Sequence, residues 1–487
     1  MTRSNFFTKA SRNPTVFVFI GLWCIGTVLA FAQPPYGVSD EPAHAVKALA
    51  TARLNFSGPE TIGQFDYPAQ VFEVPAAYTS IWHFVCYSSN TDATPICAEP
   101  FPSDENLLLT SSTAGAYPPL YYVAVGSPGW LWPGEGGLAG MRLMSVLLWS
   151  STLALAFSVL SLVCSSRLAL ATVFIAFTPT ALALGSTVNP FGWEISLFVL
   201  LWATTLVSIF GDSQNLPSGR LHYLSWLSAI AISLIRPASF IWTFGMMAAV
   251  ACLLLFRSLR PLNTDLRRMT ISSVSPLMAS TMLSLGWWAV MADKASFGGG
   301  GGSLGTTAAN VRYSFDRLDD YLLQLHGFFG WTEFYAPTAS LLCWIFALVL
   351  VAIRSSFSTS QRNIVLVGVT GVIAAPLVLE GLRATSSGLG YQGRYILPLA
   401  VGLPILMSIF PSSDTPGRNR LGPPLLALGG TAIAVVQVVR RYEVGLSGPL
   451  IWFREPTWEP FGGSALQLAL LAIATLSLSI VLMRPRS

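Results

Sequence analysis

Apolar runs of roughly 17–23 residues recur along this chain, and about 20 such residues cross the hydrocarbon core of a bilayer as a helix. The runs read as spans at 14–32, 139–163, 168–185, 191–210, 222–235, 238–256, 270–292, 336–353, 363–380, 395–410, 421–438 and 465–483. Only 10% of the residues are charged and 53% are hydrophobic, where an ordinary soluble chain carries about 25% charged residues. The expected fold is an all-α polytopic membrane protein of about 12 transmembrane helices (range 11–13), a single integral membrane domain over 1–487. The first run lacks a small-residue cleavage site and ends in Gln33-Pro34-Pro35, so it reads as a retained span rather than a signal peptide. The segment 117–132 is apolar but rich in Pro and Trp, which suits an interfacial or re-entrant element better than a further span.

Charge asymmetry orients these spans. With the N-terminus inside, the cytoplasmic pieces are 1–13, 164–167, 211–221, 257–269, 354–362, 411–420 and 484–487. They hold 15 of the 27 basic residues and 3 of the 23 acidic ones, as the positive-inside rule requires. The net charge of +4 is therefore a topology signal and does not imply nucleic-acid binding. Large outer loops are expected at 33–138, 293–335 and 439–464, with a shorter one at 381–394. Function should face outward, since the first outer loop is about a hundred residues long and the inner connections mostly about ten. Cys86 and Cys97 share the first outer loop, where an oxidising setting leaves a disulfide and two free thiols both open. Cys24, Cys164, Cys252 and Cys343 read as packing residues in or near spans. No internal repeat is evident, which speaks against a transporter built from inverted halves. The run Gly298–Gly302 lacks a strand-then-helix context and a P-loop lysine, so it reads as a flexible loop tip.

Five constellations could carry chemistry. Ser39-Asp40-Glu41-Pro42-Ala43-His44 follows the first span, and Asp40, Glu41 and His44 fall near one helical turn. A carboxylate or imidazole there can act as a general base; equally, Ser39 can cap a helix whose first turn holds acids and Pro42. Thr187–Glu194 sits at an outward turn, with Asn189-Pro190 as turn initiator and Glu194 at the membrane entrance, where a carboxylate asks for a partner. Leu234-Ile235-Arg236-Pro237 tips a short hairpin with a lone arginine, suited to phosphate or carboxylate or to snorkelling. Tyr391-Gln392-Gly393-Arg394-Tyr395 opens an inward-going span with a second arginine at the outer interface, where an aromatic belt is the plainer reading. The loop 440–460 holds Arg440, Arg441, Tyr442, Trp452, Arg454, Trp458 and Glu459, and its aromatics suit sugar stacking or interfacial anchoring. His83, His222 and His326 are scattered, with no zinc spacing. Asp40 and Glu41 together could bind Mg²⁺ or Mn²⁺ through oxygens. No other cofactor is suggested.

Acids and arginines thus meet on the outer face, the layout expected for a lipid-linked phosphate. Arginines would hold the phosphate at headgroup level while a carboxylate deprotonates an acceptor hydroxyl. The reaction would be glycosyl transfer from a polyprenyl-phosphate sugar.

Val38 to His44, Thr178-Pro179 through Val188-Asn189-Pro190, Arg236-Pro237, Gly330-Trp331 and Gln392-Gly393-Arg394-Tyr395-x-Leu397-Pro398 resemble, in order, the bacterial polytopic family called domain of unknown function 2142. That family in turn resembles the GT-C glycosyltransferases, with many spans, a large first outer loop, an acidic motif after the first span and polyprenyl-phosphate donors. The resemblance implies Asp40 as catalytic base, Glu41 as helper or alternate, and Arg236 and Arg394 as phosphate binders. His44, Asn189, Glu194, Gln392, Tyr395 and Trp458 complete the expected substrate site. It also implies a multi-pass protein of the bacterial cytoplasmic (inner) membrane, with membrane lipids and an envelope glycan, lipid or protein acceptor as partners. This chain has little soluble C-terminal domain, unlike many GT-C enzymes, so acceptor recognition falls to the outer loops. Alternatives are a polysaccharide polymerase or ligase using lipid-pyrophosphate glycans, a lipid or polysaccharide transporter, and an export-complex scaffold.

Overall fold

The computed structural model describes residues 13–63, 68–79, 84–211, 216–258, 266–291, 305–355, 357, 359–387, 389–410 and 421–484. Gly298–Gly302, His83 and the short connections 212–215, 259–265 and 411–420 lie outside them, as does most of the N-terminal piece 1–13.

The chain opens with α1 (Pro14–Ala32) and α2 (Glu41–Ala52), followed by an antiparallel sheet of β1 (Glu60–Ile62), β2 (Pro68–Pro75) and β3 (Leu107–Ser112) in that spatial order. Short helices α3 (Leu120–Val125) and α4 (Ser127–Leu131) lead into α5 (Glu135–Leu160), α6 (Ser166–Ala176), α7 (Pro179–Gly185), α8 (Pro190–Phe210), α9 (Ser218–Ser233), α10 (Ser239–Ser258) and α11 (Leu266–Met291). Then come α12 (Thr307–Phe315), α13 (Leu318–His326) and a hairpin of β4 (Phe328–Phe329) and β5 (Phe334–Tyr335). The remaining helices are α14 (Thr338–Ile353), α15 (Thr359–Ser387), α16 (Leu397–Ala400), α17 (Gly402–Ser408), α18 (Gly422–Glu443) and α19 (Gly463–Met483). Apolar helices are the natural element here, because lipid offers no partner to an unpaired backbone group. The protein is a multi-pass membrane protein. Its core is built where α1 packs on α5 and α19, α5 on α8, and α14 on α18.

Each of the twelve runs falls on helical structure, but seven helices among the described residues are long and apolar enough to cross a membrane, or eight if a bent pair counts as one. That pair is the expected span 168–185, which breaks into α6 and α7 with a bend of 72°. Pro179 is the cause: proline lacks an N–H and drives the preceding residue toward an extended backbone, and Thr178 sits at φ −63°, ψ 161°. The run 395–410 is likewise divided, into a 3₁₀ turn at Gly393–Ile396, then α16 and α17. Helices α9 and α14 have 16 residues each, or about 24 Å at 1.5 Å per residue, short of a core about 30 Å thick.

The two sheets amend the all-α expectation. The segment 439–464 is also not all loop, since α18 runs to Glu443 and carries Arg440, Arg441 and Tyr442 in its last turn. Cys86 and Cys97 are disulfide-bonded. The buried Arg441 guanidinium donates to the carbonyls of Tyr87, Asn90 and Ala93, which seats the disulfide-closed loop on the end of α18.

Candidate functional site

Asp40 and Glu41 face opposite ways. Asp40, rather than Ser39, occupies the N-cap of α2, in the left-handed region at φ 70°, and its carboxylate makes no capping hydrogen bond. Glu41, one position on, turns about 100° around the helix axis into the protein, where it is fully buried. Arg142 of α5 grips it as a two-toothed fork, Nε to Oε1 at 2.7 Å and Nη2 to Oε2 at 2.6 Å. The Val188 N–H donates to Oε1 as well, at 3.0 Å. Arg142 also donates to the carbonyls of Ala30, Gln33 and Pro34. The pair therefore ties the end of α1, the start of α2, α5 and the turn before α8 together.

This corrects the expectation for Glu41. Both its oxygens are engaged away from Asp40, so it is neither a second base beside Asp40 nor half of an Mg²⁺ or Mn²⁺ site. Among the described residues, no group of three His, Cys, Asp or Glu is placed to hold a metal ion.

The Asp40 carboxylate opens instead into a polar cavity of about 400 Å³. His44, Asn189, Arg236, Gln392, Arg394 and Tyr395 line the same cavity. These come from four places in the sequence: after α1, between α7 and α8, between α9 and α10, and between α15 and α16. Asp40 Oδ2 lies 3.5 Å from Arg394 Nη2, and its side chain is 57% exposed. The lining carries two cations and one anion, and Glu194, paired with Arg236 just behind the wall, brings the local count to two of each. What the cavity offers an anionic ligand is two guanidinium groups on one wall.

Arg236 is not alone. Its Nη1 lies 2.6 Å from Glu194 Oε2, and Ser239 donates to Oε1 of the same carboxylate at 2.8 Å. Glu194 thus finds the partner its position demands, but it stands behind Arg236 and not on the cavity wall. Tyr117 lines the cavity beside Arg236. Phe191 lies beneath both guanidinium groups, 5.5 Å from Arg236 and 6.0 Å from Arg394. Cation–π contact of this kind helps hold two like charges on one wall.

Close packing sets the second arginine. A Cβ on Gly393 would fall 1.9 Å from the Tyr321 carbonyl oxygen, so only glycine lets this turn lie against α13. The Gly393 N–H donates to Gln324 of that helix at 2.7 Å. Gln392 Oε1 finds no hydrogen-bond partner among the described residues. Asn189 does what the plainer reading asked, with Oδ1 capping α8 through the Phe191 N–H at 3.0 Å. His44 is nearly buried, its Nδ1 2.8 Å from the Tyr122 hydroxyl. Burial lowers its pKa to about 4, against the opposing pull of Asp40, with Arg236 and Arg394 adding to the lowering. It is therefore neutral near pH 7 and brings no charge to the cavity.

Trp458 is elsewhere. It lines a small separate space with Gln33, Glu135, Arg142 and Phe461. Sequence reasoning gave no site role to Tyr117, Phe191, Trp331 and Thr332, which do line the polar cavity. It also passed over Arg142, although an arginine inside a span is itself a sign of a buried partner.

A second, apolar cavity of about 250 Å³ is lined by Trp202, Leu206, Gly245, Gly371, Leu399 and Leu406, among others. Three segments that supply the polar cavity run on into it: Phe191 leads along α8 to Trp202, Arg236 into α10 and Gly245, and Arg394 into α16 and Leu399. Trp202 is eleven residues beyond Phe191, about 16 Å along the helix. A ligand suited to both spaces has an anionic head and an apolar tail.

Against known families, residues 23–403 match the model described as "Predicted membrane protein (DUF2142)". The match takes in every lining residue of the polar cavity. No curated protein and no solved structure matches the chain. The chain belongs to the DUF2142 family of predicted membrane proteins.

Proposed function

We propose that this protein is a GT-C-type membrane glycosyltransferase, moving a sugar from a polyprenyl-phosphate donor to a hydroxyl of an envelope glycan, lipid or protein. The observation that carries the reading is one cavity holding Asp40, Arg236 and Arg394, with a separate apolar cavity farther along the segments that carry Phe191, Arg236 and Arg394. Phosphate suits paired guanidinium groups, whose planar N–H forks match its oxygens. A polyprenyl tail suits the apolar space. The Cys86–Cys97 disulfide supports placing the 33–138 segment, and Asp40 with it, on the oxidising side of a bacterial cytoplasmic membrane with the N-terminus inside.

In this reaction the acceptor oxygen attacks the anomeric carbon, and the bond from that carbon to the phosphate oxygen breaks. The bonding electrons leave with the polyprenyl phosphate, and the acceptor proton passes to the Asp40 carboxylate. Arg236 and Arg394 neutralise the charge that grows on the departing phosphate. Electrostatic stabilisation of that kind is usually the largest single contribution to such a step, while a general base contributes about 10²–10⁴-fold.

The test is release of polyprenyl phosphate from a polyprenyl-phosphate sugar by purified protein. Asp40→Asn is expected to lose about 10²–10⁴ of the rate while still binding polyprenyl phosphate. Full activity in Asp40→Asn overturns the base assignment. Activity on lipid-pyrophosphate glycans that survives Asp40→Asn but not Arg236→Ala or Arg394→Ala selects the polymerase or ligase alternative.

A further inference from the structure

We infer that the turn between β4 and β5 is the sugar-recognition wall of the cavity, with the Trp331 ring as stacking platform and the Thr332 hydroxyl as hydrogen-bonding group. The inference rests on the sugar-transfer reading and adds which residues meet the sugar.

Trp331 and Thr332 both line the polar cavity. They occupy a four-residue turn closed by the Glu333 N–H to the Phe329 carbonyl at 3.1 Å. Three contacts fix that turn on the Asp40 side of the cavity. The Ser39 N–H donates to the Gly330 carbonyl at 3.4 Å, the Trp331 indole N–H donates to the Tyr36 carbonyl at 2.8 Å, and Glu333 pairs with buried Arg441 at 3.4 Å. The turn is thus held next to the residue before the proposed base.

Thr332 has φ 65°, and Asp40, which lines the same cavity, has φ 70°. A β-branched residue in the left-handed region is a genuine outlier. Such strain persists where the surroundings dictate it, and it clusters at ligand clamps and active sites. The Thr332 hydroxyl donates to the Trp331 carbonyl, which leaves its oxygen free in direction to accept from a ligand hydroxyl.

Trp331 belongs to the apolar part of the lining, with Phe191, Leu184, Tyr117 and Tyr395, while two guanidinium groups, a carboxylate, amides and hydroxyls form the part suited to phosphate and water. Phe191 is already occupied by the two guanidinium groups, whereas Trp331 sits in the turn held next to Ser39. The indole N–H is already committed, so what Trp331 offers the cavity is apolar ring surface. A phosphate gains nothing from that surface. The C–H face of a sugar ring does, because a large rigid aromatic body buries apolar area at little entropic cost.

The experiment measures dissociation constants of the full-length protein for farnesyl phosphate and for a panel of farnesyl-phosphate hexoses and pentoses. Wild type is expected to bind at least one sugar-bearing form more tightly than farnesyl phosphate. Trp331→Ala should lose about tenfold of that preference, the ratio that about 1.4 kcal/mol represents, with affinity for farnesyl phosphate itself unchanged. Thr332→Gly, which fits the backbone without strain, should fold at least as stably as wild type and discriminate less among the sugars. Should Trp331→Ala not fold, Trp331→Leu and Thr332→Gly carry the same readout. Unchanged sugar preference in these variants overturns the wall while leaving sugar transfer standing. A wild type that binds farnesyl phosphate and every sugar-bearing form alike overturns both.

Discussion

Asp40 and Glu41 are neighbours in sequence, and each meets an arginine, yet the two pairs sit in different media. Glu41 and Arg142 are 0% and 4% exposed and hydrogen-bonded at every polar atom that the fork can reach. Asp40 is more than half exposed, and its oxygen stands 3.5 Å from Arg394, farther than a good charged hydrogen bond. A buried fork resists rearrangement, because separating it strands a charge out of water. An exposed, loosely held carboxylate can exchange its partner for a ligand. One residue of chain rotation has put rigidity and availability side by side, and the two can be separated by mutation.

The largest effect expected is on rate. Asp40→Asn should cut release of polyprenyl phosphate by about 10²–10⁴-fold and lower thermal stability less than loss of the Glu41 carboxylate does, because the Asp40 side chain is 57% exposed although Arg394 is buried. Next is Glu41→Ala, with the opposite signature. It leaves Arg142 buried and unpaired, a loss of about 3–5 kcal/mol of stability, read as a lower unfolding midpoint in detergent. If Asp40→Asn unfolds the protein and Glu41→Ala leaves its midpoint alone, the assignment of the two carboxylates is reversed.

His44, one turn along α2 from Asp40, gives the comparison a pH dependence. An unfolded histidine takes a proton near pH 6.5, whereas buried His44 does so only at about 4. Between those values the unfolded state binds more protons, so stability rises with pH across the window and falls as the solution is acidified through it. The span from 6.5 to about 4 corresponds to roughly 3 kcal/mol at 1.36 per pH unit. His44→Asn should flatten the slope relative to wild type; an equal slope would mean that another group, such as buried His326, carries it.

The arginines test the availability half of the comparison at lower cost. Arg394→Ala removes a charged contact worth about 1.5–3 kcal/mol, or roughly 10–100-fold in affinity for farnesyl phosphate, with little change in stability. Arg236→Ala should weaken binding similarly but also destabilise, because Glu194 behind it is fully buried. Equal stability in the two variants would show that the Glu194 pair is no different from the Asp40 pair.

What the sequence disclosed follows from the range of each interaction. Spans were legible because hydrophobicity is summed over about 20 residues, and their breaks were under-read because one proline acts locally: Pro179 bends α6 from α7, and Pro398 lies in the broken 393–408 stretch. The shortest strands, β1, β4 and β5, were missed because two or three residues such as Phe328–Phe329 carry no period, and the longer β2 and β3 went unread within the first outer loop. Asp40, His44, Asn189, Arg236, Gln392, Arg394 and Tyr395 could be named from charge and aromatic type at helix ends, where the membrane surface makes such residues conspicuous. Their partners could not. Glu41 and Asp40 look alike in a one-dimensional string, and only the placement of Arg142, 101 positions away, decides which one is buried. Gly330-Trp331 was visible as a motif without a role, because its contact with Tyr36 spans 295 positions.

Trp458 supplies the smallest expected effect and the sharpest check on the cavity's limits. It is an aromatic in a loop that suited sugar stacking on sequence grounds, as Trp331 is in the structure. Its ring lies in the small space beside Arg142 and Phe461, on the Glu41 side of the comparison. Trp458→Leu keeps an apolar group there, so it should shift the unfolding midpoint slightly and leave farnesyl-phosphate affinity and sugar preference within twofold of wild type, under about 0.4 kcal/mol. A larger loss of affinity from this variant than from Arg394→Ala would place the ligand against the C-terminal loop. The Asp40 cavity would then have to be given up as its site.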